Sequence, residues 1–160
     1  MAKLSDLKLA YRLYMQTYRY RSVDWRPGTV LSKPLSQARI AVVTTAALYR
    51  PDQPPFDASI KGGDWSYREI AADSRLATLG IAHKSDAFDH SGLERDKNLV
   101  LPLDRLSELA ADAFIGSVAP RHFSFMGSIS APQRLIDLTA PEVAVMLGED
   151  QVDGVLLTPV

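Results

Sequence analysis

The chain has 160 residues, of which 46% are hydrophobic and 23% are charged, and its formal net charge is -1 at pH 7. This composition suffices for the core of one globular domain and gives no overall field that would attract nucleic acid or an anionic membrane surface. The chain has no cysteine, which excludes disulfides, thiolate nucleophiles and cysteine-based metal sites within these residues.

The N-terminal segment, residues 1–37, is predicted to be an amphipathic helix followed by a linker. Side chains that share one helix face recur at spacings of three and four residues: Leu4, Leu7, Tyr11, Tyr14 and Tyr18. Pro27, Gly28 and Pro34 then break the helix. The segment lacks the apolar core and cleavage site of a secretory leader, and the chain has no run of about 18 apolar residues. We therefore expect a cytoplasmic protein without membrane contacts.

Residues 38–160 are predicted to form an α/β domain of the Rossmann or flavodoxin type, with a mainly parallel sheet and helices on both faces. Residues 38–45 are β-branched and nearly continuously apolar, which is typical of a strand covered on both faces. Further strands are predicted at residues 67–70, 79–83, 115–119 and 152–157. Helices are predicted at residues 102–114, at 132–139, and from a capping box of Thr139 and Glu142 onward.

Residues 49–67 are predicted to be a loop, because prolines and glycines punctuate them: Pro51, Pro54, Pro55, Gly62 and Gly63. Phe56 and Trp65 indicate that this loop packs onto the body of the domain. A loop of this length inside a compact domain is often functional.

The last predicted strand, residues 152–157, is apolar with little charge, so we expect it to be covered on both faces. The sequence leaves the carboxyl edge of this strand at Val160, which is where open α/β sheets build their sites. Two interpretations stand on the pattern alone. The α/β domain is incomplete, or this strand is its C-terminal element.

Eight segments between residues 39 and 160 occur in an order that is specific, although none of them is diagnostic alone. They are VTT at 43–45, DQPPFD at 52–57, GDWSYREI at 63–70, DHS at 89–91, LPLDRL at 101–106, IGSVAPRHFSFMG at 115–127, APEV at 140–143 and VDGVLLTPV at 152–160. Together they resemble the selenoprotein B component of glycine, sarcosine, betaine and D-proline reductases, in particular its shorter relatives.

The resemblance implies a reductase subunit that uses a selenol or thiol to cleave a C–N bond of a small amino-acid-like substrate. In that family, the strand matching residues 155–157 leads within a few residues to a selenocysteine or cysteine, the redox nucleophile. We therefore expect the nucleophile to be missing from this chain and a selenocysteine to follow Val160, its UGA codon having been translated as a stop. No other cofactor is expected, and the chain alone would be inactive. Other reductase subunits, a thiol electron donor or a second copy of the chain are the expected partners.

Five residues near strand ends become site candidates under this resemblance. Thr44 and Thr45 follow the first strand and Thr158 the last, so their hydroxyls would hydrogen-bond a substrate carboxylate or the leaving group. Arg121 would pair with a substrate carboxylate, the alternative being a surface ion pair. His122 would be the general acid that protonates the leaving amine, the alternative being a hydrogen-bonded loop histidine.

Three further candidates, His83, Asp89 and His90, form with His122 the one set of side chains that would suit a metal. Their spacing matches no standard metal-binding motif, so we predict no metal. Asp89 would instead orient the neighbouring imidazole. Two other functions stay open beside the reductase: a non-catalytic truncated scaffold or binding subunit, and a metal-assisted hydrolase or lyase.

Overall fold

The computed structural model describes residues 9–17, 24, 28–85 and 90–160. The chain divides into two compact units, Met1–Val30 and Leu31–Val160. The first unit contains helix α1, Leu9–Thr17, in the part of the chain where a helix was predicted. Tyr14 is exposed on it, whereas Leu4, Leu7 and Tyr18 lie outside the described residues.

The second unit is built on a mostly parallel sheet whose central strand is β1. The strands are β1 (Arg39–Thr44), β2 (Leu48–Tyr49), β3 (Tyr67–Ala71), β4 (Gly80–Ile81), β5 (Ser117–Val118), β6 (Arg121–Phe125) and β7 (Gly154–Thr158). β7 pairs in parallel along one side of β1, and β5 followed by β6 pair in parallel along its other side. β3 pairs antiparallel with β6, and β2 and β4 form a separate antiparallel pair. The predicted α/β fold is confirmed.

The helices of the second unit are α2 (His90–Arg95), α3 (Leu103–Ala111) and α4 (Ala140–Glu149). A π-helical segment, Leu135–Thr139, runs directly into α4. The two predicted helices that meet at Thr139 are therefore one continuous segment, and the capping-box prediction was wrong. Thr139 has helical φ and ψ of -77° and -31°, and its hydroxyl donates to the Trp65 carbonyl at 2.8 Å instead of capping a helix. No helix in the described ranges is long and apolar enough to span a bilayer.

Consecutive residues of β1 point to opposite faces of the sheet and thereby define two cores. Val42 packs in the core that contains Leu103 and Leu106 of α3, so we name this side the α3 face. Val43 packs in the core that contains Phe123 of β6 and Val143 of α4, which we name the α4 face. Helices thus cover both faces of the sheet, as predicted.

β7 departs from the sequence prediction, because it is not covered on both faces. Val155, Leu156 and Leu157 are 40%, 41% and 67% exposed. Among the described strands β7 pairs only with β1, so it lies at the edge of the sheet. Its apolar side chains are those of an interior strand, whereas its observed surroundings are those of an edge.

The loop between β2 and β3 packs onto the domain, as predicted. Phe56 is buried against Ala47 and Met126. The Arg68 guanidinium lies 4.3 Å from the centre of the Phe56 ring and donates to the carbonyls of Pro54 and Pro55. A cation–π contact and backbone hydrogen bonds therefore hold the loop against the sheet.

Candidate functional site

The parallel strands β1, β6 and β7 bring their carboxyl ends to one edge of the sheet. The connection from β1 to β6 includes α3, on the α3 face, and leads to one side of β1. α4, on the α4 face, lies in the connection from β6 back to β7 on the other side of β1. The direction of strand order therefore reverses at β1. In open α/β sheets, ligands bind in the crevice that such a reversal leaves at the strand ends.

Two of the three predicted threonines, Thr44 and Thr158, meet at this edge, where their hydroxyls form hydrogen bonds with backbone groups of the protein. Thr44 lies opposite Thr158 in the β1–β7 register. The buried Thr44 hydroxyl donates to the Thr158 carbonyl at 3.3 Å and accepts from the Ala46 N–H at 3.2 Å. The Thr158 hydroxyl donates to the Val100 carbonyl at 2.6 Å. Both hydroxyls thus have internal partners, and their role in substrate binding stays a prediction.

Thr45, the third threonine, is half-buried and holds the chain that follows β7. Its hydroxyl oxygen accepts a hydrogen bond from the Val160 N–H at 2.9 Å, and its own N–H donates to the Thr158 carbonyl at 3.3 Å. Residue 160 is therefore fixed at the same strand end as Thr45.

His83 approaches this strand end through a contact that depends on Gly127. Gly127 follows β6 with a φ of +67°, in the left-handed region that favours glycine. A Cβ placed on it would lie 2.6 Å from the Thr45 carbonyl oxygen and 2.9 Å from His83 Nε2. Only a residue without a side chain allows the imidazole and the backbone at Thr45 to come this close. The sequence analysis did not single out Gly127, although a glycine just beyond a strand can mark a close approach of backbone.

Two of the three histidines of the predicted cluster, His83 and His90, lie near each other. The ring centres of His83 and His90 are 6.3 Å apart, with the ring planes 77° from parallel. Burial is the main cause that lowers the pKa of His83, and the nearby His90 lowers it further. The Ser85 N–H donates to Nδ1 at 3.1 Å. Asp89 lies outside the described residues. In the described part of the chain no three His, Asp or Glu side chains come together as metal ligands.

His122 lies in the interior of the sheet. It is fully buried, and its Nδ1 accepts a hydrogen bond from the Val42 N–H at 3.0 Å. Burial lowers its pKa to about 4, while the Ala119 carbonyl and Asp150 only partly oppose that effect. The imidazole is therefore neutral at pH 7. It is hydrogen-bonded, as the alternative to catalysis had it, but it lies in strand β6 and not in a loop. Its role as general acid stays a prediction.

Arg121 begins β6 and therefore lies at the end opposite the carboxyl edge. Its Nε and Nη2 donate to the two carboxylate oxygens of Asp150 at 2.7 and 3.0 Å, and Nη2 lies 3.3 Å from a Glu149 oxygen. The hydrogen bonds to Asp150 are the main reason that the pKa of Arg121 is raised. The structure thus shows the ion pair that was the alternative. Binding of a substrate carboxylate stays a prediction, and these contacts would have to open for it.

An apolar cavity of about 690 Å³, which the sequence analysis did not foresee, adjoins the carboxyl edge between α4 and β7. Its walls include Val43, Val143, Val155 and Leu157, and Thr45 and Val160 also line it. None of its lining residues is charged. The cavity joins the edge of the sheet to the exposed side of β7.

These features place the protein in the class of open α/β proteins, whose ligand sites lie at the carboxyl ends of the strands. The features are a mostly parallel sheet, a reversal of strand order, and a hydroxyl and two histidines near the carboxyl edge. The family follows from comparison with known proteins. Residues 4–160 match the family model described as glycine/sarcosine/betaine reductase selenoprotein B. The chain therefore belongs to the glycine/sarcosine/betaine reductase selenoprotein B family, as its sequence motifs indicate.

Curated relatives agree with this assignment. The chain is 32% identical over 134 residues to D-proline reductase subunit gamma of Acetoanaerobium sticklandii, covering 84% of this chain and 52% of that protein. It is 31% identical over 128 residues to betaine reductase complex component B subunit beta of Peptoclostridium acidaminophilum, covering 79% of this chain and 29% of that subunit. It is 28% identical over 154 residues to glycine reductase complex component B subunit gamma of Symbiobacterium thermophilum, covering 94% of this chain and 35% of that subunit. The chain thus spans about half or less of these relatives' length. No solved structure matches it.

Proposed function

We propose that this chain forms part of a reductase component that cleaves the C–N bond of a small amino-acid-like compound at the carboxyl edge of its sheet. Its family and the names of its relatives, which are components of D-proline, betaine and glycine reductases, support this proposal. The observation that carries it is the hydrogen bond from the Val160 N–H to the Thr45 hydroxyl. A residue that follows Val160 would emerge at the strand-order reversal, where sites of this fold class lie.

The nucleophile in this proposal is a selenolate or thiolate on polypeptide beyond Val160, and we expect a selenocysteine. Such a group would be ionised at neutral pH and would attack the carbon of the C–N bond, forming an Se–C or S–C bond as the amine leaves. A dithiol donor would then reduce that bond, so that the carbon takes up a proton, the selenol or thiol is restored and the dithiol becomes a disulfide. The chain itself has no cysteine. Its contribution is the geometry of the crevice: Thr45 fixes the backbone next to the nucleophile, and Gly127 admits His83 to the same strand end.

The proton-handling role in this proposal falls to His83. His83 approaches the carboxyl edge beside Thr45, whereas His122 is fully buried and hydrogen-bonded to the β1 backbone. A general acid must reach the atom that receives its proton. We therefore propose that His83 exchanges a proton with the departing nitrogen and that His122 maintains the sheet.

The test begins with the nucleotide sequence after the Val160 codon, followed by expression of the longer product that its frame encodes. We expect UGA and then an open frame. Amine release from sarcosine, betaine and glycine, and opening of the D-proline ring to a primary amine, are then measured with a dithiol donor and the partner subunits of a relative's complex. Serine in place of the proposed selenocysteine should abolish turnover, and His83→Asn should lower kcat.

His122→Asn serves as the matched control for His83→Asn and should change kcat little in those molecules that remain folded. A loss of kcat in His122→Asn, with His83→Asn unaffected, would reverse the two roles. A stop codon other than UGA, with no cysteine or selenocysteine beyond Val160, would contradict the reductase proposal. It would favour a non-catalytic subunit instead.

A further inference from the structure

The cavity between α4 and β7, which we name the α4–β7 groove, is lined mainly by apolar side chains, as a hydrophobic core is. It measures about 690 Å³, and no charged side chain lines it. Leu157 and Val155 form its β7 side and are 67% and 40% exposed. A site for an amino acid carboxylate needs charged or hydrogen-bonding groups, whereas this groove is lined by apolar residues apart from Thr45 and Ser128. Its ligand is therefore an apolar surface.

The edge of the sheet beside the groove can pair with a further strand. β7 pairs with β1 over its whole length, from Gly154 opposite Ile40 to Thr158 opposite Thr44. No other described strand pairs with β7, so its second edge carries backbone N–H and C=O groups that another strand can use. Parallel strands are rarely left at an edge with apolar residues on both faces, because parallel sheets are normally covered.

The connections already present predict which face the next helix would cover. α4 lies on the α4 face and leads from β6 across β1 to β7. Crossovers between parallel strands keep one hand, so a further step in the same direction places its helix on the same face. Leu157 lies opposite Val43 in the β1–β7 register and belongs to that face. The predicted position of the next helix therefore coincides with the α4–β7 groove.

We propose that the α4–β7 groove is the seat of an amphipathic helix whose following strand pairs in parallel with β7. The occupant is the polypeptide that continues from Val160. Two observations favour it: the chain covers only 52% of D-proline reductase subunit gamma, and Val160 itself lines the groove. Connections from a strand to its next helix are typically about 2–6 residues long, which is enough to enter the groove from there. This inference goes beyond the proposed function, since it holds equally for a non-catalytic subunit.

The experiment measures how fast a maleimide modifies a cysteine introduced at one of two exposed apolar positions. Leu157→Cys places the thiol in the groove. Val145→Cys is the matched control, because Val145 is 62% exposed on α4 and does not line the groove. Each variant is made in the 160-residue chain and in the longer in-frame product with serine at the proposed selenocysteine, and mass spectrometry of the tryptic peptide reports modification at that position.

We expect the thiol of Leu157→Cys to react at least about tenfold more slowly in the longer product than in the 160-residue chain, because covered positions react only through local opening. The thiol of Val145→Cys should react equally in both. Val155→Cys, also in the groove, repeats the test should Leu157→Cys fail to fold. Three results overturn the proposal: equal rates for the groove variants in both products, a reading frame that closes directly after Val160, or protection that grows with the concentration of the 160-residue chain. The last result would show that a second copy covers the groove.

Discussion

The burial of His122 predicts a specific loss of stability in mild acid. In the folded protein its pKa is lowered from 6.5 to about 4, chiefly by burial, whereas the unfolded chain restores the ordinary value. Between these two values the unfolded state binds more protons, so the free energy of unfolding falls as the pH falls. The contribution is intact above about pH 6.5 and is lost progressively as the pH approaches about 4.

The magnitude follows from the same two pKa values. Linkage gives a loss of about 2 kcal/mol between about pH 7 and pH 5, and about 3 kcal/mol once the pH lies below the folded pKa. A control must separate His122 from the other groups that titrate in acid, including Asp64 and His83, whose pKa values are also lowered. His122→Gln provides it, because glutamine does not titrate and its amide oxygen can still accept from the Val42 N–H.

The assay is urea unfolding of the wild type and of His122→Gln at matched pH values between about 7 and 4.5. The wild-type advantage over the variant should shrink by about 2 kcal/mol on going from about pH 7 to pH 5. Groups common to both proteins cancel in this difference. An advantage that stays constant within about 0.5 kcal/mol would refute the reasoning, since it would show that His122 titrates alike in the folded and unfolded states.

Three further substitutions test the sheet and its carboxyl edge. Gly127→Ala should lower the free energy of urea unfolding by about 1–3 kcal/mol, because its Cβ would lie 2.6 Å from a backbone carbonyl oxygen; Gly148→Ala, with nothing within 4 Å of its Cβ, should not destabilise. Ser124→Ala removes the hydroxyl that accepts from the buried Leu48 N–H at 2.8 Å and should cost about 1–3 kcal/mol in thermal unfolding, a cost below about 0.3 kcal/mol being contrary to this account. Arg121→Met breaks a half-exposed ion-pair cluster and should cost about 1 kcal/mol at low salt and less at high salt, whereas lost turnover at unchanged stability would indicate substrate binding.

The elements that the sequence predicted well are those in which apolar residues recur at regular local spacing. The apolar run at residues 38–45 became β1, and the helical spacing after Pro102 became α3. Both elements bury a continuous apolar face, and the pattern records that burial directly. The meeting of Thr44 and Thr158 was predictable for a different reason, because the carboxyl ends of adjacent parallel strands lie at the same edge of a sheet.

The features that sequence could not supply depend on contacts between distant residues. The partner of Arg121 is Asp150, 29 residues away. His122 is buried because both faces of β6 are covered, so that four consecutive residues of this strand are buried. The strands and helices that cover β6 come from distant parts of the chain, which the sequence of β6 does not show. The sequence predicted a helix start at Thr139 because a threonine hydroxyl commonly caps a helix. In the structure this hydroxyl donates to the Trp65 carbonyl, 74 residues away, and the helix continues through Thr139.

The most direct test of the central claim is mass spectrometry of the protein purified from the cells that make it, after alkylation of selenols and thiols. The account predicts a peptide that continues through Val160 and carries an alkylated selenocysteine, with its selenium isotope pattern, or an alkylated cysteine within a few residues. A peptide that ends at Val160, or one that continues without either residue, would contradict the claim that the nucleophile emerges beside Thr45.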